Sequence, residues 1–101
     1  MVQIEDIRPS NRIGKRYVAL LDNGDRIHFG LRGGNTYLDH NNLQLREAYI
    51  RRHYANKIEH KLIHDRVPSP ALFSAALLWS FYNPLEKTLA GNVKILNRLL
   101  V

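Results

Sequence analysis

Cysteine is absent from the 101-residue chain, which excludes disulfides and thiolate metal sites and leaves the redox compartment open. Acidic residues are few: nine Asp and Glu stand against fifteen Lys and Arg, a formal charge of +6. That imbalance suits an acidic partner, whether nucleic acid, anionic lipid or an acidic protein face, and does not choose among them. Long apolar runs are missing as well. The longest apolar-rich stretch, Pro70 to Tyr82, has 13 residues, whereas a membrane-spanning helix needs about 20, so no transmembrane segment is expected. The opening MVQIEDIRPS is acidic early and lacks an apolar centre, and no secretory signal is expected from it. Catalytic motifs are also wanting. Ser10, Ser69, Ser74 and Ser80 stand outside any GxSxG context, and the acidic residues are scattered without a recurring pair. The expectation is a protein that is not an enzyme, with no cofactor and no small-molecule substrate.

What is present is an ordinary globular balance, 45% hydrophobic and 24% charged, in a length suited to one domain with a modest core. Val2, Ile4 and Ile7 suggest a short strand ended by Arg8-Pro9-Ser10. Arg16 to Asp22 is apolar on both faces, the pattern of a central strand covered on both sides. Asn23-Gly24 follows, suited to the positive φ angles of a type I′ turn, and Asp25 to Phe29 returns with Ile27 and Phe29 on one face. Leu31 to His40 reads as loop. Asn41 or Asn42 then caps a helix from about Leu43 to Ile58, extending at most to His64, with Asn41 and Gln44 forming a capping box. Its apolar side is Leu45, Tyr49, Ile50, Tyr54 and Ile58. Ser69 before Pro70 signals a second helix, apolar nearly all round, over Ala71 to Phe81. Asn83-Pro84 repeats the signal for a third, striped by Leu85, Leu89, Val93, Leu96 and Leu100, which Gly91 interrupts or splits. The fold class is α+β: an antiparallel sheet from an N-terminal strand and a β-hairpin in residues 1–30, a glycine-rich loop in 31–41, and about three helices in 42–101.

The stretch from Phe29 to His53 organises the rest. Its blocks resemble a family of small, functionally obscure proteins of large double-stranded DNA viruses, whose pattern runs FGxxGxxxYxxHxD, a basic segment, YIxRH, and later LLWNKP. Phe29, Gly30, Gly33, Tyr37 and His40 match the first block, and Tyr49, Ile50, Arg52 and His53 the second. Leu77, Leu78 and Trp79, with Asn83 and Pro84 after a short insertion, resemble the third. Asn42 departs from the acidic residue after the histidine, and Leu45 from a basic one. The likeness covers Asp25 to Leu85. It implies a viral origin and a virion-associated role, and brings no catalytic residues.

Four features compete for function. The loop Gly30 to Asn35 could offer backbone N–H groups to a phosphate beside Arg32, but it lacks the Walker Lys-Ser/Thr pair and GxGxxG spacing. Gly30 and Gly33 are better explained by φ values closed to other residues. His53, His60 and His64 share a face if their helix is continuous, and His40 could join them on zinc, yet HExxH is absent. Hydrogen bonding is the preferred role, with His40 fixing the loop against the helix start and His53 meeting Tyr37. Arg46, Arg51, Arg52, Lys57, Lys61 and Arg66 form a basic stripe for capsid protein, phospholipid headgroups or DNA, without a sequence-reading signature. Trp79, Phe81 and Tyr82 point off the core stripe of their helix towards a protein interface. Together these features suggest a minor capsid or cement-like virion protein that contacts capsid proteins or itself. A nonspecific nucleic-acid-binding protein is the alternative, and infected-cell cytoplasm the alternative location.

Overall fold

A computed structural model describes residues 2–100 and has an α+β architecture. Strands β1 (Ile4–Pro9), β2 (Lys15–Leu21) and β3 (Arg26–Leu31) form one antiparallel sheet in that order. The first strand continues through Pro9 rather than ending before it, because an edge strand tolerates a residue without an N–H. Central β2 is covered by helices on one face only. Ala19 and Leu21 join Ile4 and Phe29 in the core. Val18 and Leu20 face the other way, in register with Arg8 and His28 and with Asp6 and Arg26 respectively.

The hairpin turn is not type I′. Gly24 takes a positive φ of 90° but Asn23 does not, and the Gly24 N–H donates to the Leu21 carbonyl at 3.0 Å. The Asn23 side chain accepts from the Asp25 N–H at 2.9 Å, which holds the chain in a three-residue connection. Gly30 and Gly33 both lie at φ 79°, as their conformational reading required.

The segment expected as loop contains a short helix, α1 (Tyr37–His40). Thr36 nucleates it by donating its N–H and its hydroxyl to Asp39, at 2.8 and 2.9 Å. Asn41 ends it at φ 57°, so Asn42, not an Asn41–Gln44 box, caps α2 (Leu43–Ala55) by accepting from the Leu45 N–H. The long basic helix divides at Asn56, whose ψ of 116° leaves the helical region while its side chain accepts from the Ile58 and Glu59 N–H groups. A short amide competes well with a helical hydrogen bond, and α3 (Lys57–His64) starts in a new direction. Leu45 and Ile58, placed on the apolar side, are exposed, Ile58 to 74%.

Ser69 caps α4 (Pro70–Phe73) as expected, and this helix continues as a π-turn over Ser74–Leu78. It stops there, so Trp79, Phe81 and Tyr82 lie beyond it. Asn83-Pro84 does not start a helix. The Asn83 side chain accepts from the Leu85 N–H in a turn, Leu85 is exposed, and the last helix, α5 (Leu89–Leu99), is capped by Thr88. Gly91 sits in its first turn, donating to Thr88 Oγ1, and does not split it.

The main core lies between the sheet and the α4–α5 pair, built from Phe29, Leu72, Phe73, Leu77, Leu78 and Leu96 among others. Tyr49, Ile63 and Ala75 form a smaller cluster on the far side of α4, under α2 and α3. The α4 segment is therefore the middle layer, and its π-turn meets both clusters.

Candidate functional site: the basic helices and the cleft beside them

Tyr49 and His53 are four residues apart on α2, so their side chains stand one above the other. The Tyr49 ring lies 4.0 Å from the His53 ring on one side and 4.1 Å from the Trp79 ring on the other, where the planes are 7° from parallel. Trp79 then meets His40 edge-on at 5.4 Å, and His40 meets Tyr37 at 6.2 Å. The aromatic and imidazole side chains singled out in the sequence thus form one continuous array from α1 to α2, with Trp79 as the link. Tyr37 is anchored at its far end by donating its hydroxyl to the Pro84 carbonyl at 2.7 Å.

His40 does fix the loop at the start of α2, accepting the Asn42 N–H on Nδ1 at 2.9 Å. The proton is then on Nε2, which is buried without a hydrogen-bond partner. His53 does not meet Tyr37. It lies at the opposite end of the array and donates Nδ1–H to Glu59 of α3 at 2.5 Å, tying the two helices across the Asn56 break. His60 stacks on Tyr54 at 3.9 Å and His64 pairs with Asp65. The break separates His53 from His60 and His64, whose rings remain neighbours on α3 with centroids 6.0 Å apart. Among the described residues no group of three or more His, Asp or Glu gathers as a metal ion would require.

Arg46 leaves the basic stripe. Its guanidinium donates to the carbonyls of Trp79, Ser80 and Phe81 at 3.0, 3.1 and 3.2 Å, satisfying backbone acceptors where the π-turn ends. The other members stay outside. Arg51, Arg52, Lys57 and Lys61 are exposed, and among the described residues no carboxylate lies within ion-pairing distance of them. Arg66, at φ 54°, sets its guanidinium 5.6 Å from the Tyr82 ring.

Trp79, Phe81 and Tyr82 face inward for the most part. Phe81 packs on Tyr54 and Tyr82, and the Tyr82 hydroxyl donates to the Ile63 carbonyl at 3.0 Å. These rings seal α2 and α3 onto the rest of the molecule. Burial raises the Tyr49 and Tyr82 phenols above their ordinary pKa, which agrees with that placement.

Beside the array lies a cleft of about 490 Å³ between the glycine-rich turn and the helices, lined by Lys15, Tyr49, Arg52, His53, Glu59 and Trp79 among others. Part of the donor set that a phosphate would need in the turn is already engaged. Its Arg32 and Gly34 N–H groups already donate to Gly14 and Leu31, and the Arg32 side chain donates to the Ser10 and Lys15 carbonyls. Glu59 was not singled out in the sequence. Its signal was Asn56, which as an N-cap places Glu59 at the third helical position.

Residues 5–53 match a family of unknown function (DUF5754). The matched span runs from β1 almost to the end of α2, so it holds Tyr37, His40, Tyr49 and His53 but not Trp79. No curated protein and no solved structure matches the chain. Among the described residues no helix is long and apolar enough to cross a membrane.

Proposed function

We propose that the chain is a virion structural protein of a double-stranded DNA virus, a minor capsid or cement-like component that docks on an acidic capsid-protein surface. The observation that carries this reading is the bareness of the α2–α3 outer face. Arg51, Arg52, Lys57 and Lys61 are exposed, and among the described residues none of them is ion-paired, while the aromatic contacts behind them pack α2 and α3 onto the rest of the fold. Cations fixed on a preorganised surface steer and orient an acidic partner without a further ordering cost. The viral assignment itself comes from the likeness of the three sequence blocks. Trp79, Phe81 and Tyr82 contribute by supporting the face rather than by lying in the interface.

The test is co-sedimentation of the purified chain with DNA-free capsid shells, wild type beside the variant R51E/R52E/K57E/K61E. Saturable binding by the wild type, lost in the variant, supports the reading. Equal binding by both sinks it. Preference for duplex DNA, with affinity falling as log salt at a slope of about −0.9 per phosphate contacted, would transfer the same face to nonspecific nucleic-acid binding.

A further inference from the structure

The β1–β2 turn carries the most exposed large apolar side chain among the described residues, Ile13, which is 97% accessible. Leu31, at the end of β3, is 69% accessible. The two belong to one tip, because the Gly14 carbonyl accepts from the Arg32 N–H at 3.0 Å, one residue away from each.

A lone exposed aliphatic residue is commonplace, but three further observations set this pair apart. The turn is braced in a single shape. Lys15 N–H donates to Arg12 O, Arg12 N–H to Ser10 Oγ, and the Arg32 guanidinium clamps the carbonyls of Ser10 and Lys15 at 2.6 and 3.1 Å, while Gly14 takes φ 81°. Ile13 is thus held out in water by a rigid support. The surroundings are cationic. Arg12 and Lys15 have no carboxylate within ion-pairing distance among the described residues, and their charges, with that of Arg26 at the far end of β3, add to partial burial in holding the His28 imidazole below its ordinary pKa. The one carboxylate bonded nearby, Asp39, is occupied by Arg16.

We propose that this tip is a membrane-docking site, in which Ile13 and Leu31 enter the acyl boundary of an anionic phospholipid bilayer while Arg12 and Lys15 meet its headgroups. An apolar point flanked by two cations matches the layered chemistry of such a surface, with hydrocarbon inside and phosphate outside. An apolar protein pocket would leave the cations unmatched, and nucleic acid would leave Ile13 unmatched. The tip belongs to the sheet; Lys15 and Leu31 also line the cleft that Arg52 borders, whereas Arg12 and Ile13 stand outside it.

The test is flotation of the purified chain with phosphatidylcholine vesicles, with and without phosphatidylserine. Binding is expected only to the anionic vesicles and weakens with salt. Ile13→Ser reduces it by about tenfold, and Arg12→Ala with Lys15→Ala reduces it further, whereas R51E/K57E/K61E leaves vesicle binding in place. Ile13 has no packing to lose, so an unchanged circular dichroism spectrum accompanies the loss. Failure to float with anionic vesicles overturns the proposal. So does binding that is indifferent to Ile13→Ser, or binding abolished by the α2–α3 variant alone.

Discussion

Trp79 lies flat against Tyr49, with ring centroids 4.1 Å apart and planes 7° from parallel. This contact joins the turn after α4 to the middle of α2, and it is the link on which the aromatic array depends. Replacing Trp79 with Ala opens a cavity against Tyr49 and His40 and is expected to cost about 3 kcal/mol, the lower part of the range for Trp or Phe truncation because the side chain is only half-buried. The check is urea denaturation followed by far-ultraviolet circular dichroism. A loss below ~1 kcal/mol would mean that α2 is held without the stack.

Arg46 acts through geometry as well as charge. Three carbonyls converge on its guanidinium, and an ammonium cannot reproduce that fork. Arg46→Ala is expected to destabilise by about 2–3 kcal/mol, in the range for hydrogen bonds to a charged group, and Arg46→Lys is expected to recover less than half of the loss. Equal stability of the Lys variant and the wild type in the same denaturation measurement would contradict the fork.

Asp39 gives the fold an acid limb. The Arg16 guanidinium foremost, and the Thr36 N–H and hydroxyl with it, hold its carboxyl well below the usual carboxylate range. The unfolded chain therefore takes up this proton more readily than the folded one, so the contribution is complete above the ordinary Asp value near 3.8 and is lost as pH falls below it. Unfolding midpoints measured against pH should show the wild type converging on Asp39→Asn at low pH and exceeding it near neutrality. Parallel curves would show that the pair contributes nothing.

Ser80 and Asn92 act as a unit. Ser80 is fully buried at φ 50°. Its hydroxyl donates to the Glu86 carbonyl and accepts from Asn92 Nδ2, which also donates to Leu77 O. Asn92→Ala leaves acceptors unpaired and should cost about 1–3 kcal/mol. The double variant with Ser80→Ala should cost less than the sum of the two by about 0.5 kcal/mol or more. Strict additivity would separate the two residues.

The sheet and the middle helix were legible where one local rule decided the outcome. A continuous apolar run marked β2, alternation marked β3, and Ser69-Pro70 marked the start of α4. Several of the misreadings occur at side-chain amides. Asn56 carries no more turn signal in sequence than Asn97, yet it ends a helix, whereas Asn97 lies inside α5 and pairs its amide with the Ile4 N–H and carbonyl at the sheet edge. Asn83 before Pro84 resembles a cap and proves to close a turn. The site was half legible for a similar reason. The four-residue spacing of Tyr49 and His53 is local, but the Arg46 acceptors lie 33 to 35 residues away. Nothing in the periodicity of α2 separates a cation spent on backbone from one facing water. The break at Asn56 was concealed by the apolar spacing, which placed the exposed Ile58 on the buried side.

Quantitative mass spectrometry of purified, nuclease-treated virions, before and after release of the genome, tests the central claim most directly. The account predicts a fixed ratio of this chain to the major capsid protein that survives release of the DNA. Absence from the particles, or departure together with the genome, would contradict it.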